Sequence, residues 1–326
     1  MRLISTRDRF KGALLGLACG DAVGTTVEFK RRGTFDLVTD MVGGGPFKLK
    51  PGEWTDDTSM ALCLAVSLLE NQGFDAHDQM TRYVRWMRDG YMSSNGSCFD
   101  IGLTIKAALN RFRQTGEPFS GSTEPDTAGN GCLMRLAPVP MFFFSDRQRA
   151  IEMSAESSRT THGAFECIEA SSLFGAMLHS ALSGATKESI LLGHGLNTFQ
   201  SGAMAAIAAG SYQYKDVSQI RGSGYVVESL EAALWCFFRT TSFTGAVLAA
   251  VNLGHDADTT AAICGQLAGA YYGESEIPSK WRNRLAQSNL IAELADHLYE
   301  QTNGGVAAFE ESADEKELVA SVQQRS

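Results

Sequence analysis

The sequence predicts an all-α fold, a single compact helical bundle spanning residues 1–302, and three observations lead there. Small and apolar residues recur at three- and four-residue spacing through segments long enough for helices. Alternating runs are scarce, and the one candidate strand, TFDLVTDMV at 34–42, is short and at most an edge. Finally, 326 residues allow two domains by length, yet no Pro- or Ser-rich linker and no shift in composition divides the chain.

In chain order the helical segments are RFKGALLGLACGDAVG, SMALCLAVSLLENQ, CFDIGLTIKAALNRF, FECIEASSLFGAMLHSAL, VVESLEAALWCFFRT and TTAAICGQLAGAYYG. The first and last are rich in Gly and Ala, which costs helix propensity but allows helices to approach closely. Three Gly-rich polar stretches interrupt the helical rhythm: 38–57, 120–134 and 214–225. Long irregular segments within a compact domain are usually functional or disordered. The remaining stretch, 303–326, follows a Gly-Gly break and is charged; it reads as a peripheral helix or tail with no catalytic role.

A formal charge of −9 argues against a general nucleic-acid or anionic-membrane surface, which needs clustered Lys and Arg. Lys30, Arg31 and Arg32 read as a solvated basic loop with a steering role as the alternative. Seven cysteines, an odd number without CxxC spacing, read as buried thiols of a reducing compartment. With no signal-peptide pattern and no apolar run of membrane-spanning length, the expectation is a soluble cytoplasmic protein.

The chemistry-bearing pattern is a phrase written twice. TDDTSMALC begins at Thr55 and DADTTAAIC at Asp256, each at the mouth of an apolar run. Helix capping is the plain explanation, because Asp and Thr accept bonds from free N-terminal amides. Two such clusters, however, stack more carboxylate than capping requires. Asp56, Asp57, Asp256 and Asp258 brought together would repel unless cations neutralised them, and two divalent ions balance four carboxylates. With the Thr55 and Thr259 hydroxyls, this hard oxygen set suits Mg²⁺, or Mn²⁺ in its place. His255, within GHDAD, reads as a packing or supporting residue.

Seven motifs in order, GALLGLACGDAVGTTVEF, GEWTDDTSMALCLA, CFDIG, GNGCLMRLAPVP, THG, GSGYVVESLEAALW and GHDADTTAAICGQLAGAYYG, span residues 12–273. Together they resemble the ADP-ribosylglycohydrolase family, which includes the dinitrogenase reductase-activating glycohydrolases, over about residues 8–300. The resemblance implies an all-α hydrolase with two metal ions that removes ADP-ribose from modified proteins, releasing ADP-ribose as product. It implies Thr55, Asp56 and Asp57 as one ligand set and Asp256, Asp258 and Thr259 as the other. It places Glu28 near the metals and the scissile ribose, so that Glu28 and Asp57 are the candidates for activating water or moving a proton.

For the diphosphate, the glycines of TAGNGCLMR lie before a predicted helix and offer open backbone at a helix dipole. The resemblance favours Gly129, Asn130, Gly131 and Met134 as binding residues, although a plain glycine turn explains the same letters. Arg135 belongs to the same motif and reads equally as a structural ion-pair partner. His162 and Tyr225 are planar side chains suited to stacking in the ADP-ribose pocket. Asp100 reads by default as a helix N-terminal carboxylate. In the resemblance an Asp here goes with arginine-linked substrates, where a carboxylate faces the guanidinium fork.

Other readings remain open from sequence: cleavage of another linkage, serine or small-molecule, or a non-catalytic ADP-ribose-binding relative. A helical isoprenyl-diphosphate synthase also uses two acidic clusters, but it needs an Asp one turn after the first pair, where Ser59 and Met60 stand. Acidic net charge argues against a nucleic-acid substrate.

Overall fold

A computed structural model describes residues 4–302. Helices dominate it: α1 (Thr6–Gly24), α2 (Asp56–Glu70), α3 (Ala76–Asp89), α4 (Leu103–Thr115), α5 (Pro138–Phe142), α6 (Arg147–Arg159) and α7 (Phe165–Leu182) come first. The second half adds α8 (Lys187–Leu192), α9 (Gly202–Ala208), α10 (Val226–Arg239), α11 (Phe243–Val251), α12 (Ala257–Tyr272), α13 (Ser279–Arg284) and α14 (Ser288–Thr302). The six helical segments foreseen from periodicity correspond to α1, α2, α4, α7, α10 and α12. The candidate strand at 34–42 is irregular instead. Its polar groups are satisfied from elsewhere: the Val38 amide donates to Asn252 Oδ1 at 2.9 Å, and Asn252 Nδ2 donates back to the Val38 carbonyl at 2.9 Å. The charged stretch 303–326 lies outside the described residues.

At the centre, α1 and α12 run antiparallel at a separation only glycine permits. A Cβ on Gly12 would lie 2.2 Å from the Gly269 carbonyl oxygen, one on Gly16 2.4 Å from that of Gly265, and one on Gly20 2.1 Å from that of Ala261. The spacing of four keeps this seam on one helical face. Hence the glycines that weaken helix propensity here determine the packing, as the sequence implied. The consequence for the site is directional: the C-terminal end of α1, with Asp21 and the following Glu28, is brought against the start of α12.

Arg9 ties the other end of this pair, donating from Nη1 to the carbonyls of Ala270 at 3.0 Å and Tyr271 at 2.6 Å, the last turn of α12. A cation at helix C-terminal carbonyls satisfies acceptors that have no partner within the helix. Around the seam, a continuous apolar core runs from Phe10 and Leu14 through Leu62, Phe174 and Phe237 to Leu298, all at most 1 % exposed. The described cysteines are all free thiols; six are buried, and Cys98 is half-buried. Among the described residues no helix is long and apolar enough to cross a membrane.

Candidate functional site

Two of the irregular stretches, 120–134 and 214–225, meet the segment that follows α1, the loop 100–102 and the starts of α2, α4 and α12 at one cavity of about 650 Å³. Its lining includes Glu28, Asp56, Asp100, Gly129, Asn130, Gly131, Met134, His162, Asp256, Asp258 and Thr259. Of the sequence-predicted residues, Thr55 and Asp57 lie buried beside it, and Tyr225 stands next to its Ser223–Gly224 wall.

Capping does not account for the acidic phrases. Neither Thr55 at the start of α2 nor Asp256 at the start of α12 makes a side-chain cap bond. Both helix starts are capped instead by carboxylates from elsewhere. Asp21, inside α1, accepts from the Thr55 amide at 2.9 Å, the Thr58 amide at 3.1 Å and the Thr58 hydroxyl at 2.7 Å. Glu28 Oε2 accepts from the Ala257 amide at 2.7 Å and the Asp258 amide at 3.3 Å. Within the phrases themselves, Asp258 Oδ1 accepts from the Thr259 amide at 2.7 Å; the aspartates otherwise face one another.

They converge in two groups that share a member. Asp21, Asp57 and Asp258 each bring a carboxylate oxygen within 4.8 Å of the others, and so do Glu28, Asp256 and Asp258. Asp57 Oδ1 and Asp258 Oδ2 are buried without a hydrogen-bond partner. Leaving such an acceptor unsatisfied is costly, and a carboxylate more so. The residues present therefore fit divalent cations: hard oxygen donors, converging, with orphaned lone pairs. The Thr55 hydroxyl reaches Asp57 Oδ2 at 3.0 Å and the Thr259 hydroxyl reaches it at 3.4 Å, so both threonines lie against the carboxylates. Asp56 belongs to neither converging group, although it lines the cavity.

The electrostatics agree with the geometry. Burial, followed by the charge of Asp256, pushes the Glu28 carboxyl up to about 8. Burial raises Asp100 to about 7, and Asp21 to about 6 despite the Thr58 and Thr55 bonds that oppose it. Asp56, Asp57 and Asp258 are raised well above the usual carboxylate range by burial and then by their acidic neighbours. Without cations, these groups hold protons that ordinary surface carboxylates would have lost.

Strained backbone collects here too. Phe29, Asp100 and His255 all line the cavity with positive φ, at 62°, 60° and 64°. Residues outside glycine persist in this region when their surroundings over-determine them, and functional sites are where they gather. The Phe29 amide donates to the His255 carbonyl at 2.7 Å and the His255 amide to the Lys30 carbonyl at 2.6 Å, locking the loop after Glu28 to the loop before Asp256. Arg32, expected in a solvated loop, is instead half-buried and reinforces this lock, donating to the carbonyls of Val217, Ile220 and Leu253.

The helix expected directly after Gly129–Gly131 is replaced by a single 3-10 turn, Asn130–Cys132, and α-helix resumes only at Pro138. With a 3-10 turn in place of an α-helix start, no helix dipole points at these glycines. What the glycines do is admit His162: a Cβ on Gly131 would lie 2.8 Å from its Cε1. That imidazole is buried, accepts or donates at Nδ1 to the Thr161 hydroxyl at 2.8 Å, and is held down to about 3 by burial and by Arg135. It is therefore neutral.

Asn130 Nδ2 donates to Asp256 Oδ2 at 2.8 Å, which orients one carboxylate of the second group. Among the described residues Arg135 makes no ion pair; it meets the Thr161 hydroxyl at 2.6 Å and lies over the Tyr83 ring at 4.8 Å. The Tyr225 hydroxyl donates to Glu166 Oε2 at 2.6 Å. Sequence reasoning missed Asp21 as a site residue. A lone acid in GLACGDAVG, without a basic partner nearby in sequence, was the available signal.

The chain matches the ADP-ribosylglycohydrolase family model over residues 3–306. It is 46 % identical over 292 residues to the ADP-ribosylarginine hydrolase Tri1 of Serratia proteamaculans, covering 90 % of this chain and 79 % of that one. It is 32 % identical over 289 residues to the ADP-ribosyl-[dinitrogen reductase] glycohydrolase of Rhodospirillum rubrum, covering 86 % and 91 %. A solved structure, an ADP-ribosylglycohydrolase-related protein complex, superposes with a TM-score of 0.81 at 42 % identity over 92 % of this chain and all of that one. A helical fold built on a glycine seam, a cavity floored by converging carboxylates and these likenesses agree, and the chain is an enzyme of the ADP-ribosylglycohydrolase family.

Proposed function

We propose that this protein hydrolyses the bond between ADP-ribose and an arginine side chain of a modified protein, using two Mg²⁺ ions, with Mn²⁺ able to replace them. The observation that carries the metal part is the pair of carboxylate groups sharing Asp258, with two orphaned oxygens at the floor of the cavity. For the linkage, support comes from Asp100, a carboxylate lining the same cavity, and from relatives in Serratia proteamaculans and Pseudomonas putida named ADP-ribosylarginine hydrolase, at 46 % and 47 % identity.

Asp21, Asp57 and Asp258 would hold one cation, and Glu28, Asp256 and Asp258 the other, with the Thr55 and Thr259 hydroxyls against Asp57 and with Asp56 on the cavity wall to add oxygen donors. When bound, the cations supply charge neutralisation and Lewis acidity beside the ribose. Asp100 faces the guanidinium, and a carboxylate there matches its planar donor fork. Gly129, Asn130, Gly131, Met134 and the neutral ring of His162 form the wall along which the rest of ADP-ribose lies, with Tyr225 at its outer edge. Glu28 is favoured over Asp57 for proton transfer because it lines the cavity, whereas Asp57 is buried beside it. Its Oε2 accepts from the Ala257 and Asp258 amides, which holds the carboxylate in place at the cavity wall.

The test is release of ADP-ribose from arginine- and serine-modified proteins with Mg²⁺ or with chelator. Mg²⁺-dependent release from arginine, lost selectively in Asp100→Ala, supports the reading. Equal rates on both linkages remove the arginine assignment, and turnover in chelator removes the cations.

A further inference from the structure

A cavity of about 650 Å³ is sized for one small ligand, so the polypeptide bearing the modification must rest outside it. At the mouth lies a row of aromatic rings. Phe29, 66 % exposed, meets Phe47 edge to face with centroids 6.2 Å apart, and Phe47 meets Phe99 at 5.4 Å. In sequence the row begins next to Glu28 and ends next to Asp100; Phe47 and Phe99 are half-buried, and Leu103, 88 % exposed at the start of α4, lines the cavity as Phe29 does. Single exposed apolar residues are ordinary on a monomer, whereas a contiguous set rimmed by charge marks an interaction site.

The rim is basic. Exposed Lys30 follows Phe29 and exposed Lys48 follows Phe47, in a chain whose formal charge is −9. Phe29, Lys48 and Asp100 each stand at positive φ, 62°, 56° and 60°, a backbone conformation that gathers at functional sites.

We propose that this row is the docking surface for the protein part of the substrate: apolar residues flanking the modified side chain lie on Phe29, Phe47, Phe99 and Leu103, and acidic ones face Lys30 and Lys48. The proposal rests on the hydrolase reading above and deepens it. It follows that the enzyme separates a modified protein from a free ADP-ribosylated amino acid by contacts outside the catalytic cavity, and that those contacts weaken as salt rises.

The experiment measures KM and kcat for an arginine-ADP-ribosylated protein with acidic residues flanking the modified arginine, and for free ADP-ribosyl-arginine, in the Mg²⁺-loaded full chain. Wild type is compared with Phe47→Ser, Lys48→Glu and the double variant Lys30→Glu/Lys48→Glu. Expected are a roughly tenfold rise in KM for the protein, kinetics on the free conjugate within about twofold of wild type, and a salt dependence of the protein KM that the double variant loses. Lys48→Glu changes an exposed side chain, so it reports even if Phe47→Ser folds poorly. Equal effects on both substrates, or none on either, overturn the proposal. So does a wild-type dimer that Phe47→Ser dissociates with the protein KM unchanged, because a second copy of the chain would then be the occupant. Wild type that cleaves neither substrate removes the hydrolase reading itself, and the docking surface with it.

Discussion

Gly20→Ala is the smallest change that probes how the fold builds the site. The new methyl would lie 2.1 Å from the Ala261 carbonyl oxygen and 2.5 Å from its carbon, both backbone atoms of α12. No side-chain rotation relieves such a contact, so α1 and α12 must part locally by about 1 Å to reach ordinary van der Waals distance. Alanine favours the helix by about 1 kcal/mol over glycine, whereas overpacking a dense core costs about 1–3 kcal/mol. The two largely offset, and the net loss of stability is expected at about 1 kcal/mol. Activity suffers more. Asp21 follows Gly20 on α1, and Asp258 lies on the first turn of α12, one turn from Ala261. Both belong to the same converging group, and a misplacement of about 1 Å can lower turnover about 100-fold. Differential scanning fluorimetry and ADP-ribose release, with Gly202→Ala as a control whose added Cβ meets nothing within 4 Å, measure the two effects. A Gly20→Ala variant with wild-type Tm and wild-type kcat refutes this account of the seam.

Three further outcomes follow from the same geometry. Asp21→Asn keeps the size of the side chain but removes a charge from the first carboxylate group, so Mn²⁺ titrations are expected to show weakened binding with most of the fold retained. In chelator, stability should fall as pH rises. Glu28, Asp100 and Asp21 have folded-state values of about 8, 7 and 6, above their unfolded values, so the folded state holds more protons between about pH 4 and 8; thermal scans should show Tm declining across that window, and Mg²⁺ should flatten or reverse the slope because it binds the ionised carboxylates. Replacing Gly131 with Ala places a Cβ 2.8 Å from His162 Cε1 and 2.9 Å from Ile105 Cδ1, and is expected to raise KM for the substrate at least tenfold in steady-state assays by pushing the ring and the cavity wall out of place.

How much the sequence disclosed depended on whether a signal was local. Helices such as α7 and α10 were legible because their apolar spacing is periodic within one segment. The acidic phrases were legible because two helix starts each carried surplus carboxylates. Asp21 was hidden because it sits in the last turn of α1 among small residues, where its partners, Thr55 and Thr58, are 34 and 37 residues away. The roles of Glu28 and Asp21 as caps for helices they do not belong to could not be read locally for the same reason. The replacement of the helix after Gly131 by a 3-10 turn could not be read from the glycines, which suit a turn and a helix start alike. Arg32 looked like a surface charge because the carbonyls it meets belong to loops about 190 residues or more distant.

The most direct test of the central claim counts bound metal. Equilibrium dialysis of the chelator-stripped chain against Mn²⁺ should give two ions per chain for wild type and about one for Asp57→Asn, which belongs to a single group. Asp258→Asn should lose strong binding of both, because Asp258 is shared. One ion or none in wild type, or two retained in Asp258→Asn, would contradict the account.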